Sequence, residues 1–171
     1  VYKRTVDELP QSAAGRTIMT TEPKFIPEES VEINLGSNTT FNVRMIDCVG
    51  YIVNSAIGYS EEDEPRMVKT PWSKDAIPFD DAAEIGTKKV ITDHSTIGLV
   101  ITTDGTISDI PREDYIESEK RVINELKAIN KPFIILLNSV DPAADEAINL
   151  SNEMTAEYKV PVIPVSCMEL D

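Results

Sequence analysis

The sequence predicts an α/β layered fold, a mostly parallel sheet with one antiparallel hairpin, on three observations. Two alternating runs, VEINLG (31–36) and TTFNVRMID (39–47), flank a Gly36-Ser37-Asn38 connection. Three short aliphatic runs, TIGLVITT (96–103), PFIILLN (132–138) and VPVIPVS (160–166), show little polar alternation. Between them lie segments with helical apolar stripes. Alternation across a short Gly/Asn connection makes a hairpin. Aliphatic runs separated by helices make parallel strands buried on both faces.

Taken in order, residues 1–30 are polar and contain prolines, and read as loop with one short element. The hairpin follows over 31–47. Residues 50–78 read as a long irregular segment, with four acids at 61–64 and prolines at 65, 71 and 78. A loop of that length in a compact domain is usually functional or mobile. FDDAAEIGTKKVITDH (79–94) reads as a helix despite Gly86. The next helix starts near Pro111, with Tyr115, Val122, Leu126 and Ile129 on one stripe. Asp141-Pro142 opens a third, whose stripe is Ala147, Leu150, Met154 and Tyr158.

Composition narrows the function classes. With 41% hydrophobic residues over 171 positions, the chain suits one globular domain with a sizeable core. It opens on Val rather than Met and so reads as a fragment, which leaves an upstream targeting segment open. No apolar run approaches the roughly 18 residues of a membrane span. A formal charge of −14 argues against nucleic acid as a partner and against docking to an anionic membrane. Two cysteines and one histidine leave little room for a metal cluster. Cys48 and Cys167 are most simply small buried hydrophobes in a reducing compartment.

In α/β sheets, ligands sit at the carboxyl ends of the strands, here Asp47, Thr102–Asp104, Asn138 and Ser166. A carboxylate such as Asp47 can hold a magnesium-bound water. The N–H of Gly50 can approach a terminal phosphate closely, since no Cβ intervenes. The bare spacing is weak. With 13 Asp and 7 Gly in 171 residues, chance supplies roughly half a match. A satisfied strand-end Asp therefore stays open as the alternative.

The remaining candidates each carry a plain alternative. GRTIMTTEP (15–23) offers Thr20 and Thr21, which in a loop could complete a magnesium shell, or simply form turns. Arg16 is a candidate cis arginine for developing phosphate charge, or a surface arginine. LLNSVDP (136–142) places Asn138 and Asp141 at the spacing of a guanine-reading N-K-x-D loop. Ser139 in the lysine position removes the stem that would stack on the base. Asp141 could equally cap a helix at Pro142. Tyr51 follows Gly50, where switch hydrolases often place a water-orienting Gln or His. A tyrosine there cannot be assumed to take that role. His94, at a helix end, reads as a C-terminal cap rather than a base.

Together the phrases DELPQSAAGRTIMTTEPKF, DCVGY, PRMVKTPW, IPFDDAAEIGTKKVI, HSTIGLVITTDGTI and KPFIILLNS resemble the ATPase domain of the stage IV sporulation protein A family. These are spore-coat morphogenetic ATPases of endospore-forming bacteria. The resemblance covers most of the chain.

It implies a three-layer P-loop-NTPase-like fold, related to translation-factor-class GTPases. It further implies ATP and Mg as cofactors, with hydrolysis driving self-assembly into a polymer. That polymer would form the spore-coat basement layer at the forespore outer surface, in the mother-cell cytoplasm. The implied partners are further copies of the protein, a small amphipathic membrane-anchored peptide and other spore-coat proteins. Carried over by residue, Asp47 matches the magnesium-side aspartate, Thr20 and Thr21 the phosphate-sensing threonines, Gly50 the glycine after the aspartate, and Asn138 the base-side loop.

The 171 residues contain no G-x-x-x-x-G-K-(S/T) loop. Phosphate cradling by that loop is a large share of nucleotide affinity. The chain is therefore expected to be an ATPase-domain fragment lacking its P-loop segment and the parent's middle and C-terminal regions. Alone, it is expected to bind ATP poorly and not to turn it over. A nucleotide-independent scaffold with a vestigial pocket remains the alternative.

Overall fold

The computed structural model describes residues 12–13, 16–17, 24–36, 39–48, 50–53, 60–61, 64–65, 67–70 and 73–170. The chain forms two compact units, Val1–Gly50 with Gly58–His94, and Tyr51–Ile57 with Ser95–Asp171.

The first unit is built on the hairpin. Strands β1 (Lys24–Asn34) and β2 (Thr40–Asp47) pair antiparallel, with Ile33 opposite Phe41, Val31 opposite Val43 and Lys24 opposite Asp47. At the turn, Gly36 adopts φ +82° and its N–H donates to Asn34 Oδ1 at 2.8 Å. The register shifts between Ile26 and Val31. Pro27, with no N–H to give the ladder, falls within that shift.

This strand begins at Lys24, so the last residues of the expected N-terminal loop are strand instead. The reason is the bulge, which breaks the alternation while Lys24, Phe25 and Ile26 still pair with Asp47, Ile46 and Met45. Within 50–78, short ladders join Ser60–Glu61 to Glu64–Pro65 and Met67–Val68 to Ile77–Pro78.

Helix α1 (Phe79–Lys89) follows Pro78, with Asp80 and Asp81 in its first turn and Lys88 and Lys89 in its last. Both ends suit the helix dipole. Phe79, Ala82, Ala83, Gly86 and Thr87 are buried. The expected continuation to His94 is present, but as a π-helical turn over Val90–His94.

The second unit holds β3 (Gly98–Thr103), α2 (Arg112–Ala128), β4 (Phe133–Asn138), α3 (Asp145–Tyr158) and β5 (Val162–Val165). The strands form a parallel sheet in the order β5-β4-β3. Both crossovers step the same way, so right-handed connections place α2 and α3 on one face. That face buries Val100, Thr102, Phe133, Ile135, Leu137 and Val162 with Ile123, Leu126, Ala147, Met154 and Tyr158.

The opposite face carries Leu99, Ile101 and Ile163, exposed by 49%, 59% and 44%. Burial on both faces is thus corrected to burial on one. The strands are apolar on both sides, but only one layer of helices meets them among the described residues.

The α2 stripe is also corrected. Its fully buried positions are Glu119, Ile123 and Leu126, while Ile129 is exposed. The Glu119 carboxylate, 1% exposed, pairs with Arg112 at 2.8 Å. It also accepts from Thr102 Oγ1 and Tyr158 O–H, both at 2.7 Å. The polar residue sits on the buried stripe because three elements bring it donors. Burial, then the bond to the Glu119 carboxylate, pushes the Tyr158 phenol well above its ordinary value.

Candidate functional site

At the carboxyl ends of β3 and β4, two loops are bonded to each other. Asp104 N–H donates to Asn138 C=O at 3.3 Å, extending the ladder by one step. Asp104 Oδ1 accepts from Thr106 N–H at 2.9 Å and Thr106 Oγ1–H at 2.6 Å. Thr106 Oγ1 in turn accepts from Val140 N–H at 3.0 Å. Burial alone would raise the Asp104 carboxyl. The bonds from Ser139 and Thr106 outweigh it and hold the group below its ordinary value.

Asn138 Oδ1 accepts from Cys167 N–H at 2.9 Å, and Ser139 N–H donates to Val165 C=O at 2.9 Å. These bonds fix the loop from the β5 side. Ser139 is buried, and its Oγ accepts from Asp141 N–H at 3.2 Å. The position that a lysine stem would occupy is therefore filled by an inward hydroxyl.

The expected helix start at Asp141-Pro142 is corrected. Helix α3 begins at Asp145, and its N-cap position, Ala144, makes no side-chain cap bond. Asp141 Oδ1 instead accepts from Ala143 N–H at 3.1 Å, an Asx turn one turn upstream. The capping alternative for Asp141 thus falls away, and the carboxylate of this exposed residue stands at the loop surface.

In the first unit, Asp47 is the last residue of β2 and is exposed. Gly50 has φ +79°, and a Cβ there would meet nothing within 4 Å. Glycine is required by the backbone, not by lack of space. Burial pushes the Cys48 thiol above its ordinary value, partly offset by the Gly50 N–H directed at its sulfur.

Thr20 and Thr21 lie outside the described residues. Arg16 falls in a two-residue strand, Arg16–Thr17, antiparallel to Ser12–Ala13, and its side chain lies outside what the structure describes. In the second unit, the Tyr51 hydroxyl donates to Glu125 Oε2, and Arg121 stacks 4.3 Å from the ring centroid. That tyrosine is thus held against α2. His94 ends the π-helical turn and is exposed. Cys48 and Cys167 are free thiols, half-buried rather than fully buried. Among the described residues, no three His, Cys, Asp or Glu side chains group as metal ligands. No helix among them is long and apolar enough to cross a membrane.

The family profile described as "Stage IV sporulation protein A, ATPase domain" matches residues 1–171. The chain belongs to this family. It is 56% identical over 168 residues to "Stage IV sporulation protein A" of Bacillus anthracis, covering 98% of this chain and 34% of the relative. Against the protein of the same name from Bacillus subtilis (strain 168), identity is 55% over 163 residues, 95% of this chain and 33% of the relative. Against that of Clostridioides difficile (strain 630), it is 52% over 168 residues, 98% and 34%. The chain thus spans about a third of the length of the curated stage IV sporulation protein A relatives it matches. No solved structure matches it.

In this family member, Thr106 was not among the residues singled out from the sequence, though it bonds the two loops at the strand ends. Its signal was available in the Asp104-Gly105 turn that follows an aliphatic strand, a sequence that favours an Asx turn.

Proposed function

We propose that this chain is the greater part of the nucleotide-hydrolysing domain of a sporulation ATPase with a P-loop-NTPase-like fold. In the parent protein, ATP hydrolysis drives self-assembly of the spore-coat basement layer on the forespore surface, in the mother-cell cytoplasm. A small amphipathic membrane-anchored peptide and other coat proteins are its partners there.

The match of the ATPase-domain family to all 171 residues carries this reading. The donor set agrees with it. Asp47 is exposed at a strand end, and among the described residues its side chain has no ion pair or hydrogen bond. A strand-end carboxylate suits Mg, which keeps several waters and takes its other ligands from phosphates. When bound, Mg supplies charge neutralisation for the transferring phosphoryl group.

Asp47 would hold the metal through a bound water on its carboxylate. Thr20 and Thr21 sense the terminal phosphate, and Arg16 is the further cation of that segment. Gly50 offers a backbone N–H to the phosphate. Asn138 and Asp141 form the base side, without a guanine-stacking lysine.

The test is Asp47→Ala in the full-length parent, followed by phosphate release and by sedimentation of the polymer. Turnover is expected to fall at least about 100-fold, the scale seen when one group stabilising developing charge is removed. ATP-dependent assembly should be lost with it. A variant that still releases phosphate and assembles at the wild-type rate overturns the reading.

A further inference from the structure

The loop over 138–141 is held by more than its own strand. Two of its residues, Asn138 and Val140, are each hydrogen-bonded to the segment that follows β3. The Asn138 carbonyl accepts from the Asp104 N–H, at 3.3 Å. The Ser139 hydroxyl between them helps hold the Asp104 carboxyl below its ordinary value. The Val140 N–H donates to Thr106 Oγ1 at 3.0 Å, and that hydroxyl in turn donates a hydrogen bond to Asp104 Oδ1 at 2.6 Å. One carboxylate thus orders the Thr106 hydroxyl, and through it the Val140 position of the neighbouring loop.

Thr106 is suited to this link because a hydroxyl can donate and accept at once. Its donor is committed to Asp104, so a lone pair is left for the Val140 amide. Gly105 allows the segment to double back. It has φ +92°, and a Cβ there would lie 2.9 Å from the Arg112 backbone nitrogen. The segment is therefore pressed onto the start of α2, which stiffens it as a support.

We propose that Asp104 and Thr106 are positioning residues for nucleotide binding, clasping the 138–141 loop so that Asn138 and Asp141 present a fixed edge to the adenine base. The inference rests on the base-side reading of that loop given above. Neither residue needs to touch the nucleotide. Their effect is to remove loop freedom that would otherwise have to be lost on binding.

The test uses the full-length parent, measuring ATP turnover for wild type, Thr106→Val, Thr106→Ser and Asp104→Asn, with thermal melting of each. Thr106→Val keeps the side-chain shape but breaks both bonds of the hydroxyl. It is expected to raise KM for ATP about three- to tenfold, the equivalent of one lost hydrogen bond. The expected change in kcat is less than twofold. Thr106→Ser should restore KM, and Asp104→Asn should raise it.

An unchanged KM in a folded Thr106→Val protein overturns the clasp. So does a loss of kcat that tracks a lowered melting temperature and is not rescued by serine, since that is a purely structural role. A wild-type parent that turns over no ATP overturns the site reading itself, and the clasp with it. An active wild type indifferent to these variants overturns the clasp alone.

Discussion

Removing the Glu119 carboxylate should be the most damaging single change in the second unit. Its side chain is 1% exposed and faces Arg112, which is only 16% exposed, at 2.8 Å. A second contact, Arg112 Nη2 to Glu119 Oε1, measures 2.9 Å. Thr102 and Tyr158 direct their hydroxyls at the same carboxylate. Arg112 Nε already has no partner among the described residues. In Glu119→Ala, a largely buried guanidinium would lose its counter-charge, and two hydroxyls would lose their acceptor.

Breaking a buried pair by removing one partner costs about 3–5 kcal/mol. For a chain of this size, that corresponds to a melting temperature lower by about 6–20 °C. Tyr158→Phe removes one bond to the same group and should cost about 1–2 kcal/mol. Replacing both ionic partners with apolar residues, as in Arg112→Met with Glu119→Leu, should recover most of the loss. Thermal and urea unfolding of the 171-residue chain give the values. A Glu119→Ala variant destabilised by less than about 1 kcal/mol would refute the reasoning, because exposed ion pairs reach that scale.

Two further predictions concern the ends of β3. In Gly98→Ala, the added Cβ would lie 2.9 Å from Phe133 Cβ and 3.1 Å from Leu126 Cδ2. Phe133 Cβ is tethered to a strand, so overpacking should lower stability by about 1–3 kcal/mol in a urea titration, and a change within 0.5 kcal/mol would contradict the close approach. Asp104 has its folded-state pKa lowered from 3.8. Its contribution is therefore present above pH 3.8 and lost as pH falls through the lowered folded value. Unfolding curves of wild type and Asp104→Asn should differ near neutral pH and converge in stronger acid. Curves that diverge further in acid would reverse the assigned direction.

The strands of the second unit were legible because β-branched and aliphatic residues concentrate where the backbone is paired. Phe133–Asn138 and Gly98–Thr103 lie within one or two residues of the boundaries read from sequence. The two-sided apolar pattern did not say which side α2 and α3 cover; strand order decides that. Glu119 was invisible to a hydrophobic stripe, since a buried carboxylate becomes tolerable only once Thr102, Arg112 and Tyr158 are brought to it. Their sequence separations of 17, 7 and 39 residues place most of that information in the tertiary fold. Asp141 misled for a local reason. Asp before Pro suits a cap and a turn equally, and here the turn precedes the helix by one step.

The side of the sheet that no described helix covers gives the strong negative charge a second meaning. Leu99, Ile101 and Ile163 lie on one face of adjacent strands and are exposed by 49%, 59% and 44%. Such a surface favours sticking to its like. A net charge of −14 opposes this by keeping molecules apart, over a reach of only about 10 Å at 0.1 M salt. Dispersal of the isolated 171 residues is thus a contest between oil and charge. Salt weakens the repulsion while leaving the aliphatic attraction intact, so ionic strength sets how crowded a solution of this chain can become before it clumps.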